Sequence, residues 1–181
     1  MSLIAFDPFV EQGVWASTTT TWQTDGDSIA PASRLDPADP GLANVQIHLT
    51  TTDELVIDLG FTSQQAWETG DRFGIGVVDA QGTRFVACEI VCRDVVGCRL
   101  EATFADGSVK YLSASTFTES RLRVEMHKGL GAGEWNVNPH IDGSTSYPTF
   151  IGPLPGLDGT AVISASPKIR LRYYAAWASV R

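Results

Sequence analysis

From Asn44 onward the chain repeats one device, a short run of alternating apolar residues closed by a glycine-bearing turn. Leu55, Ile57 and Leu59 recur at every second position, as do Val45, Ile47 and Leu49 before them. Phe73, Ile75 and Val77 follow, and then the turn Asp79-Ala80-Gln81-Gly82. Cys98, Leu100, Ala102 and Phe104 lead into Asp106-Gly107 and a returning run with Val109 and Tyr111. A period of two sends successive side chains to opposite faces of a strand. Glycine supplies the positive φ that short hairpin turns need. Helical period is scarce; "SQQAWETG" and "SRLDPADPG" each offer one turn. The pattern predicts an all-β fold, an antiparallel β-sandwich or barrel.

The beginning of the chain differs. It holds Pro8, Pro31, Pro37 and Pro40, a Ser-Thr run from Ser17 to Thr21, and "TDGDS". Proline fixes φ and removes a donor, so no continuous sheet or helix is expected there. Residues 1–44 therefore read as an extended N-terminal arm with a short strand or two, and residues 45–181 as the sandwich domain.

A chain of 181 residues is long enough to bury a core without metals or disulfides. Its net charge of -8 argues against a nucleic-acid or anionic-membrane binder. No basic n-region opens the sequence and no apolar run is long enough to span a bilayer, so neither a signal peptide nor a membrane span is expected. Cys88, Cys92 and Cys98 are an odd set without zinc spacing, and are expected reduced and buried as small hydrophobes.

Catalytic motifs are missing. There is no G-x-S-x-G elbow, and "GLGAG" at 129–133 lacks the lysine of a phosphate loop, so it reads as a hairpin tip. "TDGDS" offers fewer oxygens than a calcium site wants. Glu125 and Asp142 fall on different elements, unlike the paired carboxylates of a glycosidase. Arg123, His127 and Tyr147 lack the spacing of a lyase set. The chain is expected not to be an enzyme and to need no metal or cofactor.

The densest collection of reactive side chains is Arg121 to Gly143. Period two resolves it into a core row, Leu122, Val124 and Met126, and an exposed row, Arg121, Arg123, Glu125 and His127, with Arg–Glu pairing expected. In the last strand Ile169, Leu171, Tyr173, Ala175 and Trp177 form one row against Lys168, Arg170 and Arg172. If the two strands share a sheet, the arginines make a basic stripe, either a solvated face or a docking surface for another subunit or an anionic glycan. Trp135 is either core or a stacking platform. The candidate partner- or glycan-binding residues are thus Arg121, Arg123, Glu125, Trp135, Arg170 and Arg172.

The order of Asp79 to Gly82, Arg121 to Glu125, Trp135 to Gly143 and Ile169 to Trp177 resembles the concanavalin A-like, or laminin G-like, jelly roll over roughly residues 45–181. The resemblance implies a lectin-like sandwich, a fold that hosts lectins, hydrolases, lyases and structural modules. With its proline- and threonine-rich arm and no catalytic motif, the chain is also similar to virion modules of tailed bacteriophages. The expectation is a non-enzymatic capsid decoration, head-fibre or tail-associated protein. It would dock on neighbouring virion subunits as a homo-oligomer and reside in the virion. The alternative is a lectin-like carbohydrate-binding module, cytoplasmic or extracellular; a polysaccharide hydrolase or lyase comes after it.

Overall fold

The computed structural model describes residues 1–7, 16–17, 22–24, 28–31, 42–47, 53–63, 68–78, 84–94, 97–104, 106–114, 121–141, 149–153, 159–165 and 169–179. Among them every regular element is a strand. In chain order these are β1 (Ser2–Asp7), β2 (Ala16–Ser17), β3 (Trp22–Thr24), β4 (Ile29–Pro31) and β5 (Leu42–Ile47). Next come β6 (Glu54–Ser63), β7 (Arg72–Val78), β8 (Arg84–Asp94), β9 (Gly97–Thr103) and β10 (Val109–Ala114). The last are β11 (Arg121–Lys128), β12 (Glu134–Ile141), β13 (Phe150–Pro153), β14 (Gly159–Ala165) and β15 (Ile169–Ser179).

The strands form two antiparallel sheets. The eight-stranded sheet runs β13-β12-β11-β6-β15-β4-β3, with β1 also on β15; the seven-stranded sheet runs β10-β9-β8-β7-β14-β5-β2. Neighbours such as β6 and β15, or β7 and β14, are far apart in sequence, so the chain crosses between sheets. That is jelly-roll wiring. The core lies between the sheets, where period two delivers Leu55, Ile57, Leu59 and Phe61 from β6, Phe73, Ile75 and Val77 from β7, and Leu122, Val124 and Met126 from β11. Phe61 and Phe73 join the sheets, ring centroids 4.2 Å apart. Gly152 of β13 lies under the Phe104 ring, where a Cβ would collide with the ring atoms. Pro139 is tolerated in β12 because β13 pairs only with Glu134–Val137 and stops short of it.

The turns at Asp106-Gly107 and Gly129–Gly133 form as expected. Ser108 N–H donates to Asp106 Oδ1 at 2.9 Å and Gly107 takes φ 79°. Gly129 N–H donates to the Glu134 carbonyl at 2.8 Å, and Gly133 has φ 72°. Residues 68–70, the end of the expected helical turn "SQQAWETG", make a tight turn with Asp71, Glu68 N–H donating to Asp71 Oδ2 at 2.7 Å. Residues 64–67, "SRLDPADPG", the turns at 79–82 and 142–143, Tyr147 and Lys168 lie outside the described residues.

Residues 1–44, expected as an arm with a short strand or two, contribute β1, β3 and β4 to one sheet and β2 to the other. Two expectations change. The row Ile169 to Trp177 does not stay on one face. A bulge between Leu171 and Tyr173 shifts the register, so Ile169, Leu171, Tyr174 and Ala176 face the core, and Tyr173 and Trp177 share the outer face with Asp58 and Val56. One extra residue in a strand reverses the facing of everything beyond it. Cys92 and Cys98 are not free thiols; they sit directly opposite each other on β8 and β9 and form a disulfide. Cys88 is free and buried, and burial, followed by the nearby Glu89 charge, pushes its thiol far above its ordinary range.

Candidate functional site

Of the six candidate residues, five lie on the outer face of the eight-stranded sheet. Arg121, Arg123 and Glu125 project from β11, and Arg170 and Arg172 come from β15, with β6 between. The two groups of arginines are therefore in one sheet. On this face charge meets charge. Asp58 of β6 is 1% exposed and accepts from Arg121 Nε at 2.8 and 2.9 Å, and also from Arg121 Nη2. Tyr173 O–H donates to the same carboxylate at 3.1 Å. The Tyr173 ring lies across Gly60, where a Cβ would overlap it. Arg123 Nε donates to Glu125 Oε1 at 2.8 Å, and His140 Nε2 lies 3.7 Å from Glu125 Oε2. His127 faces Glu54 at 3.2 Å. Arg172 Nε donates to Thr62 Oγ1 at 2.9 Å. Ion pairing, across strands for Arg121 with Asp58 and along β11 for Arg123 with Glu125, is what these two arginines make, not an uncompensated basic stripe.

Trp135, the sixth, is core. It is 3% exposed on the inner face of β12, so it offers no stacking surface; Lys128 Nζ lies over its ring, 5.9 Å from the centroid.

The outer face of the seven-stranded sheet carries a cluster that sequence reading missed. Because Phe73, Ile90 and Leu100 point inward, their alternates Arg72, Glu89, Arg99 and Glu101 point outward. The register sets Gly74, Glu89, Glu101 and Tyr111 side by side in one row across β7, β8, β9 and β10. The adjoining row is Arg72, Val91, Arg99 and Ser113. Arg72, Glu89 and Glu101 are only 8%, 9% and 6% exposed although they face away from the core. Arg72 Nη2 lies 3.8 Å from Glu89 Oε1. Glu89 folds over Gly74, where a Cβ would come within 2.8 Å of its Cγ and overlap the β8 backbone. At the sheet edge the Arg99 guanidinium stacks on Tyr111, 4.6 Å from the ring centroid, and Tyr111 remains 56% exposed.

Glu89 directly opposite Glu101 is an unfavourable cross-strand choice by itself; the nearby guanidinium offsets it. The face thus gathers two bidentate acceptors, two planar donors and an exposed aromatic ring. Such groups bind vicinal hydroxyls and the apolar side of a polyol ring. The signal in the sequence was the outward row of "ACEIVC" and "CRLEATF", but only the register makes the two glutamates neighbours. Among the described residues no group of three or more His, Cys, Asp and Glu could hold a metal ion.

No protein-family model matches the chain, and no curated protein sequence does. Solved structures do match its fold. The CBM2 module of the evolved Dit of Lactobacillus casei BL23 phage J-1 aligns with TM-score 0.62 and 11% identity, over 99% of this chain and 97% of that one. A lectin from Bauhinia forficata in complex with GalNAc aligns with TM-score 0.62 and 8% identity, over 96% of each. The GH43 protein BlXynB of Bacillus licheniformis aligns with TM-score 0.66 and 10% identity, over 96% of this chain but 39% of that protein. These likenesses, at such low identity, concern the fold: the chain has a lectin-like jelly-roll β-sandwich fold.

Proposed function

We propose that the chain is a non-enzymatic carbohydrate-binding module, with its glycan site on the outer face of the seven-stranded sheet around Arg72, Glu89, Arg99, Glu101 and Tyr111. The observation that carries this is the row Glu89–Glu101–Tyr111, in which two carboxylates and an exposed ring stand side by side with arginines in the next row. An ion-paired carboxylate such as Glu89 suits hydroxyl recognition, whereas glycoside hydrolysis requires a protonated acid opposite a second carboxylate. The test is a glycan array read with the parent chain and with Tyr111→Ala and Glu101→Gln. Binding that both variants lose, with unchanged melting curves, supports the site. A blank array from folded protein removes it.

A second reading places the same module in a bacteriophage virion, as a decoration, head-fibre or tail-associated protein. It is favoured by the near full-length likeness to a module of a phage Dit protein. In that setting the outer face of the eight-stranded sheet, with Arg121, Arg123, Arg170 and Arg172, is the proposed docking surface toward neighbouring virion subunits or a second copy. Mass photometry and electron microscopy of native particles test it. A stable monomer that is found in no particle rejects the virion reading and leaves the glycan reading intact.

A further inference from the structure

We infer that the ligand of the seven-stranded face is an electrically neutral oligosaccharide of at least two sugar units, laid across the strands from β10 toward β7. This rests on the glycan reading above and narrows it.

The first argument is length. Tyr111 stands on the edge strand β10, and Glu89 with its partner Arg72 stands two strands further in, on β8 and β7. Two inter-strand steps are roughly 9.6 Å, and the row from Tyr111 to Gly74 covers three. A single hexose stacked on Tyr111 engages Arg99 and Glu101 but leaves Glu89 and Arg72 unused. A second unit, continuing along the row, reaches them. Gly74 ends the row without a side chain, and Glu89 lies flat over it, so that Arg72 and Glu89 present 10% and 11% of their side chains to a ligand at the inner end of the path.

The second argument is charge. The two rows hold two arginines and two glutamates, and each acid has a guanidinium in the adjoining row. Neither sign is in surplus. A uronate, sulfate or sialate laid along the central row meets two carboxylates in succession. The chain's net charge of -8 adds long-range repulsion. An amino sugar meets Arg72 and Arg99 in the same way. Neutral hydroxyl pairs use both signs, accepting from guanidinium and donating to carboxylate.

The third argument concerns Tyr111. One face of its ring is taken by the Arg99 guanidinium, which fixes the ring's orientation. The exposed side is left for the apolar face of a sugar. Arg99 is in this sense a positioning residue as well as a donor.

The experiment is calorimetric titration of the full chain with ladders of one to four units of neutral gluco-, galacto- and manno-oligosaccharides, alongside oligogalacturonides. One neutral ladder is expected to gain at least about tenfold in affinity between one and three units, with no binding by the anionic ladder. Glu89→Gln and, separately, Arg72→Gln are expected to remove that gain between one and three units, so that the trimer binds no more tightly than the monosaccharide; Tyr111→Ala weakens every member. Melting curves of each variant establish that it is folded. A monosaccharide that binds as tightly as its trimer overturns the inference but leaves a glycan site in place. So does tightest binding by the oligogalacturonides. Folded protein that binds none of the ladders overturns the inference together with the glycan reading beneath it.

Discussion

Replacing Cys92 and Cys98 with alanine removes the covalent bond between β8 and β9, and its worth follows from the loop it closes. The two cysteines are six residues apart. The chain-entropy relation gives about 2 kcal/mol for a ring of that size, less than for a long loop because so short a segment has little freedom to lose. In a chain of this length that is a fall in Tm of roughly 4–8 °C. The assay has two parts. Urea unfolding is followed with and without reductant, so that the parent chain serves as its own control against losing buried sulfur. Alkylation and mass spectrometry then count thiols. Folded protein is expected to react at none, because Cys88 is buried and its thiol is pushed far above its ordinary range. Unfolding without reductant is expected to expose one thiol, and unfolding with it three. An unfolding midpoint indifferent to reductant, or three thiols titrating without it, would refute the reasoning.

Asp58→Ala is expected to destabilise the chain by about 2–3 kcal/mol, because Tyr173 and Arg121 both lose a buried acceptor; the half-exposed Arg121 rehydrates, which keeps the cost below that of a fully buried pair. A denaturation midpoint within error of the parent's would count against the network. Trp135→Ala is expected to cost about 3–5 kcal/mol as a core truncation, whereas Tyr111→Ala, at an exposed edge, should stay within about 0.5 kcal/mol; the reverse ranking in a melt would show that the inner and outer faces are misassigned. Alkaline pH should weaken the fold. Burial raises Cys88 and Tyr174 above their ordinary values of 9.0 and 10.0, so the folded chain keeps protons that the unfolded chain releases. Stability is then full below about pH 9 and declines as pH rises through the ordinary values toward the raised ones. A urea midpoint that stays flat up to about pH 11 in the parent chain, or a decline that Cys88→Ala does not reduce, would contradict this.

Local pattern alone determined much of this protein. Alternation assigned Leu122, Val124 and Met126, or Phe73, Ile75 and Val77, to the core, because a strand's period is a property of neighbouring residues. The glycine turns at 106–107 and 129–133 were legible for the same reason, since positive φ is a local demand. An antiparallel sandwich or barrel followed from the spacing of those units, and its lectin-like character from the family resemblance. What needed tertiary structure was register. One bulge, at Leu171–Tyr173, moved Tyr173 and Trp177 to the outer face, and no feature of "KIRLRYYAAW" marks it. The turn after Phe104 put Val109 and Tyr111 opposite Thr103 and Glu101, on the outer face, not beside Leu100 in the core. Pairing of β8 with β9 brought Cys92 to Cys98 and Glu89 to Glu101. Arg121 read as one of a basic row with a glutamate partner expected, and it was β6 that placed Asp58 beside it instead. Each of these turns on which residue of one strand stands beside which residue of another. That is fixed by hydrogen-bond ladders and core packing across distant parts of the chain, and a period of two, identical for every register that keeps the apolar face inward, does not encode it.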